Sequence, residues 1–149
     1  MNVHHLLCAC ACIQKDEGRF LLVRTPARGW EFPGGVIEPG ETLAQGLERE
    51  VLEESGLIVK TQKLLAWTQN ISTLPPKLIF VFSAEWLSGS LQPSAETPEL
   101  GWFRAEQAED MIQHPANALR WRLAQQAAAG LMGCVYRQDP FELLESSVF

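Results

Sequence analysis

Glu50, Glu53 and Glu54 stand three and four residues apart, so a helix would carry all three carboxylates on one face. Like charges at this spacing cost an isolated helix about 0.2–0.5 kcal/mol per pair. Arg49 can offset part of the repulsion by pairing with Glu53 at i+4. Glu41 enters at the helix start, where the dipole tolerates a carboxylate. Oxygen anions gathered without Cys or His suit a hard divalent cation. Magnesium takes one or two carboxylates and keeps positions for water and substrate phosphates. Three glutamates alone are equally what a solvated acidic face looks like. The wider spacing decides between these readings.

Gly35, five residues, Glu41, seven residues, then Arg49-Glu50-Val51-Leu52-Glu53-Glu54-Ser55-Gly56-Leu57 form one unbroken pattern. Seven fixed letters at roughly 7% usage each would coincide by chance with a probability on the order of 10⁻⁸ per start position. The pattern resembles the Nudix box without a deviation. Phe32-Pro33-Gly34 just before it and a hairpin upstream are also similar to that family, and the order of elements extends the likeness over most of the chain.

The resemblance implies an α/β fold, an α/β/α sandwich with a central mixed sheet, in one domain over residues 1–149. It also implies hydrolysis of a P–O–P linkage in a nucleoside di- or triphosphate or a related derivative, with Mg²⁺ or Mn²⁺. Metal binding would fall to Glu50, Glu53 and Glu54, joined by the backbone carbonyl of Gly35. Arg49 would orient the glutamates, and Glu41 would brace the loop against the helix. Metal ions neutralise phosphate oxygens, hold them in line and make a bound water easier to deprotonate. A carboxylate must then take the proton. The first candidates are Glu50 and Glu53; the second are Glu96 and Glu99, just before Gly101-Trp102-Phe103. No paired Ser/His or Cys/His nucleophile is present, so water is expected to attack phosphorus directly. A triphosphate would then yield the monophosphate and pyrophosphate or the diphosphate and phosphate, depending on which phosphorus faces the water; the first is preferred as the outcome common in family members of this size.

The substrate is less legible. Arg24 and Arg28 before the box and Lys77 after it could meet outer phosphates, although each is also an ordinary surface charge. Trp30, Trp67, Trp86 and Trp102 could stack on a base; at least two should be core, and Trp121 at helical spacing reads as packing. Pro75 and Pro76 come a little late for the proline that marks ADP-ribose hydrolases, and the tyrosine of diadenosine-polyphosphate enzymes is not found. Coenzyme A and NADH signatures are absent too. A small nucleoside di- or triphosphate fits best, with a vitamin-precursor pyrophosphate as an alternative. A non-catalytic nucleotide-binding module would usually lose box glutamates, and an isoprenoid diphosphate isomerase usually alters the box. An RNA 5′-pyrophosphohydrolase would want a basic groove, which an acidic chain supports weakly.

The elements that must position these residues follow from patterning. Residues 3–13 read as a strand apolar on both faces, hence interior to a sheet. Lys15-Asp16-Glu17-Gly18 is a turn into a second strand from Arg19 to Arg24. Pro26 to Gly35 reads as a loop. The box helix spans 42–55, with Thr42 and Gln45 as a capping box, Gly56 as its C-cap, and Leu43, Leu47 and Val51 as its apolar stripe. Leu57 to Gln69 and Lys77 to Leu87 read as strands around a Leu74-Pro75-Pro76 turn, and Leu100 to Phe103 as a short strand after a Ser/Gly/Pro-rich loop. Glu106 to Ile112 and 115–129 read as helices, the second opened by Pro115 and ended by Gly130, giving a helical C-terminus.

A chain of 149 residues with 46% hydrophobic and 20% charged residues suits one globular domain. Its net charge of −6 argues against a DNA-coating protein. The apolar run Leu6 to Ile13 is far short of the ~20 residues that span a bilayer, and only Met1-Asn2-Val3-His4-His5 precedes it, with no basic residue. Cys8, Cys10 and Cys12 alternate on one strand face, roughly 6.5–7 Å apart, which suits neither a disulfide nor zinc. No disulfide is expected with Cys134 either, and reduced thiols point to the cytoplasm. There the Asn70-Ile71-Ser72 sequon carries no meaning. The expected partners are a small nucleotide or pyrophosphate substrate and no membrane, with the chain a monomer or homodimer.

Overall fold

The structure, a computed structural model, describes residues 4–16 and 18–149. Val3 of the expected first strand, Met1 and Asn2 before it, and Glu17 of the expected turn lie outside the described residues. The strands are β1 (Leu6–Lys15), β2 (Arg19–Thr25), β3 (Gly29–Glu31), β4 (Gly34–Val36), β5 (Leu57–Asn70), β6 (Lys77–Gly89), β7 (Glu99–Arg104), β8 (Met132–Arg137) and β9 (Glu142–Val148). The helices are α1 (Leu43–Ser55), α2 (Ala105–Met111) and α3 (Pro115–Gln125). The sheet runs β3-β2-β1-β6-β5-β8-β9, with β4 also paired to β1 and β7 to β2. It is mixed: β1 lies parallel to β6 and β5 parallel to β8, while β5–β6 and β1–β2 are antiparallel.

The alternation in β1 builds the two cores. Ala9, Ala11 and Ile13 pack with Leu47 and Val51 of α1 on one side. Cys10 and Cys12, with Cys8 at their margin, pack on the other side with Ala108 of α2 and Ala116, Leu119, Trp121 and Leu123 of α3. Helices therefore cover both faces of a mixed sheet, the expected α/β/α sandwich. All four cysteines are free, and among the described residues no helix is long and apolar enough to cross a membrane.

Two expectations are corrected. The C-terminus is not helical: α3 stops at Gln125, one 3-10 turn covers Ala127–Ala129, and the chain then adds the β8–β9 hairpin. Gly130, at φ 132°, turns the chain out of the helix and into a strand. The apolar side of β8, with Cys134 and Tyr136 each 1% exposed, was masked by the polar residues of an all-exposed β9. The Pro26–Gly35 segment is likewise not all loop, since β3 and β4 form short pairings within it. Of the five tryptophans, Trp121 is almost fully buried, as its helical spacing suggested.

Candidate active site

α1 begins and ends where its caps dictate. Thr42 accepts from Gln45 N–H at 3.1 Å while Gln45 Oε1 accepts from Thr42 N–H at 2.9 Å, closing a capping box. Gly56, at φ 79°, terminates the helix and donates its N–H to Leu52 O at 2.9 Å. Leu47 and Val51 anchor the inner stripe, so Arg49 and Glu50 are brought against β4 at Val36 and Gly35 while Glu53 stays exposed.

The glycines of β4 permit close approach. A Cβ on Gly34 would strike the β1 backbone at Ala9 O, and one on Gly35 would lie 2.7 Å from both carboxylate oxygens of Glu50. Bare at Gly34 and Gly35, β4 lets α1 bring its carboxylates against backbone. Gly34 N–H donates to Glu54 Oε1 at 3.1 Å. Glu54 is only 5% exposed, and that bond is its single side-chain partner among the described residues. Burial pushes its carboxyl up to about 8, with the negative charges of Glu50, Glu31 and Glu96 adding to the rise. Burial also raises Glu50, against the opposing pull of Arg49.

Arg49 is the hub of the acidic face. Its Nε and Nη2 donate to the two oxygens of Glu41 at 2.8 and 2.9 Å, and its Nη1 donates to Glu50 Oε1 at 3.0 Å. Nη2 also reaches Val36 O at 3.1 Å. The i+4 contact to Glu53 is longer, at 3.4 Å. Glu41 accepts from Glu38 N–H at 2.8 Å, and its carboxyl is held below the usual range, chiefly by the Arg49 guanidinium. Glu41 thus ties the loop to the helix. Glu53 remains exposed.

Of the two later acids, Glu96 belongs to this face and Glu99 does not. Thr97, fully buried, donates its hydroxyl to Glu54 O at 2.6 Å and so straps the loop across the end of α1. That strap puts Glu96 near enough to raise both Glu50 and Glu54. Glu99 lies on β7 in an exposed ion pair with Arg24 across the β2–β7 ladder. Both line a separate hollow with Asp110 and Trp30. Trp102 packs against Trp86 with ring centroids 5.4 Å apart, under the Lys15 ammonium at 5.0 Å, and contributes to the α1-side core. Trp102 is therefore not brought to the acidic face.

A cavity of about 350 Å³ opens beside β4, and Gly34 and Gly35 belong to its wall. Besides Gly35, two of the sequence candidates line it: Arg28 and Lys77. Arg28 is neutralised by Glu31, to which it donates from Nε at 2.9 Å and Nη2 at 2.7 Å. Pattern reading missed Glu31, Asn117, Arg120, Tyr136 and His114, which line the same cavity. Asn117 donates to Glu31 at 2.7 Å and accepts from Arg120 at 2.7 Å. His114 lines it with a buried Nδ1 that has no hydrogen-bond partner among the described residues. The one available signal was Asn117 and Arg120 at i and i+3 on α3, polar residues on a helix whose neighbours Ala116, Leu119 and Trp121 are core.

The donor set suits a hard cation. All the candidate ligands are oxygens, and Glu54 is a buried carboxylate beside Glu50 with no cation against it among the described residues. Among the described residues, no three His, Cys, Asp or Glu side chains converge into a cage by themselves. Such an open arrangement matches an ion that keeps water and substrate oxygens among its ligands.

Comparison with known proteins agrees with this geometry. A MutT-like protein of Streptomyces ambofaciens is 30% identical over 109 residues, covering 72% of this chain and 70% of that protein. The 8-oxo-dGDP phosphatase NUDT18 of Homo sapiens is 34% identical over 110 residues, covering 68% of this chain but only 32% of its own length. The chain thus spans about a third of that human protein. A crystal structure of a Nudix hydrolase from Nitrosomonas europaea superposes with a TM-score of 0.75 at 23% identity, over 91% of this chain and 81% of that one, which bears on the fold alone. The family model for the NUDIX domain matches residues 4–122. Because that match takes in the first hairpin, the glycine strand and the whole of the box, the chain belongs to the NUDIX family and is a Nudix hydrolase.

Proposed function

We propose that this chain hydrolyses a P–O–P linkage in a small nucleoside di- or triphosphate or a related nucleotide derivative, with Mg²⁺ or Mn²⁺ held by Glu50, Glu53, Glu54 and the Gly35 carbonyl. The observation that carries the reading is Glu54, a buried carboxylate beside Glu50 whose only side-chain partner among the described residues is the Gly34 N–H. Nudix hydrolases generally use divalent metals, and such an ion supplies charge neutralisation for the phosphates and acidifies a bound water. The protein's part is to hold the carboxylates and take the proton. Arg49 fixes Glu50 at 3.0 Å and is itself fixed by Glu41. Glu50 is the preferred proton acceptor, because Arg49 holds it in a fixed position against Gly35. Exposed Glu53 and Glu96 are the alternatives; the ion pair of Glu99 with Arg24 leaves it less suited.

Arg28 and Lys77 line the adjacent cavity, which suits the remainder of the substrate. Oxidised guanine nucleotides head the panel to be tried, because the human relative is named for 8-oxo-dGDP. The same reading takes residues 1–149 as one domain, cytoplasmic, monomeric or homodimeric, and β8, which pairs with β5, supports including the segment beyond residue 122. A panel of nucleoside di- and triphosphates, 8-oxo-dGDP and non-nucleotide pyrophosphates, incubated with Mg²⁺, should show phosphate or pyrophosphate release. No release from any of them, with folded protein, would leave a ligand-binding role instead.

A further inference from the structure

The cationic side of the cavity is not fully accounted for by Arg28 and Lys77. Arg120 projects from α3 and is partly buried. Its Nη1 donates to Tyr136 Oη at 3.0 Å and Thr68 Oγ1 at 3.3 Å, and its Nη2 donates to Asn117 Oδ1 at 2.7 Å. Every one of these acceptors is neutral. Arg28 has the Glu31 carboxylate, whereas among the described residues no carboxylate lies within 4.0 Å of Arg120 or Lys77. The guanidinium has five N–H donors, so Nε–H and one Nη2–H still lack an acceptor among the described residues. In a chain of net charge −6, two cations without counter-charges on one concave surface are a departure that asks for an anion.

We infer that this cavity binds an oxyanion group of the substrate through Arg120, which Tyr136 and Asn117 hold in place. Tyr136 sits on β8, beyond the 4–122 family segment, so the C-terminal hairpin supplies a wall of the cavity and the orientation of its guanidinium. Arg120 is a binding residue, and Tyr136 and Asn117 are positioning residues. The fork left open by Nε and Nη2 suits two oxygens of one phosphate or carboxylate. The inference rests on the hydrolase reading for the identity of the ligand as substrate, but the anion site can be tested without turnover.

The test is thermal melting in EDTA with inorganic phosphate or acetate added, against chloride at equal ionic strength. Without metal the acidic face of α1 repels anions, so protection reports the cavity. Protection of wild type beyond chloride is expected, with phosphate or acetate identifying which oxyanion is preferred. Arg120→Gln should weaken it at least about tenfold, and Tyr136→Phe about two- to fivefold. Glu50→Gln should retain it. Should Arg120→Gln not fold, Arg120→Lys, which keeps the charge but loses the fork, should still lower the affinity severalfold. Protection by neither anion, or equal protection in the Arg120 variants, would overturn the inference. Phosphate protection with no hydrolysis of any nucleotide would instead count against the hydrolase reading alone.

Discussion

The acidic face and the cationic wall adjoin at β4, where Gly35 lies against Glu50 and also lines the cavity, and they are built by opposite means. On α1, Arg49, Glu50, Glu53 and Glu54 come from a single stretch and are organised by helical spacing. Across β4, Arg28, Lys77, Arg120 and Tyr136 come from the segment before β3, from β6, α3 and β8. The acidic face also carries unrelieved like charge, with Glu54 and Glu50 both raised, whereas the wall spreads its charge through hydrogen bonds to Glu31, Asn117, Thr68 and Tyr136. A cation and an anion are thus invited to adjoining surfaces. Chemistry that needs a tight charge cluster can be written locally, while discrimination among substrates draws on whatever segments the fold brings together.

Breaking the acidic side should have the largest effect. Glu54→Gln keeps size and helix propensity but removes the buried charge, so turnover should fall at least about 100-fold. Its melting temperature without metal should hold or rise, because like charges are relieved, and Mg²⁺ should no longer stabilise it. Wild-type turnover in excess chelator would contradict the metal-dependent half of the comparison outright. Gly35→Ala comes next. Its new methyl must displace the Glu50 carboxylate, and activity should fall about tenfold or more while the fold, read by circular dichroism, is retained.

A single turnover in ¹⁸O-labelled water sharpens the division of labour. The label should enter a phosphate product, in the monophosphate if the inner phosphorus faces the water, and never a protein carboxylate.

The cysteines beneath the cavity give a test by pH. Burial pushes Cys10 and Cys12 up to about 12, so at pH 8 a disulfide reagent should modify Cys8 first and leave these two protected until unfolding. The unfolded chain loses those thiol protons first, because its thiols titrate near 9. Stability should therefore fall as pH climbs from about 9 toward 12, measured by urea midpoints. The smallest effect belongs to the surface pair away from the concavity. Arg24→Gln and Glu99→Gln should each change stability by no more than about 0.5 kcal/mol, and Glu99→Gln should cost far less activity than Glu96→Gln.

Capping and periodicity made α1 legible to within a residue, because Thr42, Gln45 and Gly56 satisfy helix ends by local chemistry alone. The same locality made the carboxylate cluster readable from spacing, while the bracing role of Glu41 came from the family resemblance. The alternation of β1 announced a strand buried on both faces, and two cores formed on either side of it. What lay beyond reach was set by partners distant in sequence. β8 and β9 escaped notice because β9 is exposed along its whole length, so no apolar period marks it; it exists by pairing with β8, which itself docks on β5. Glu31 and Arg120 are single charged letters whose surroundings lie many residues away, at Asn117 for one and at Thr68 and Tyr136 for the other. Glu99 and Glu96 looked equivalent as loop acids until Thr97 strapped one side of the loop to α1 and the β2–β7 ladder aligned Glu99 with Arg24. Spacing along a helix is determined by the chain's own geometry, so the sequence by itself determined the carboxylate cluster. Which charges are paired and which are left facing a cavity depends on long-range packing, and only the tertiary structure decided that.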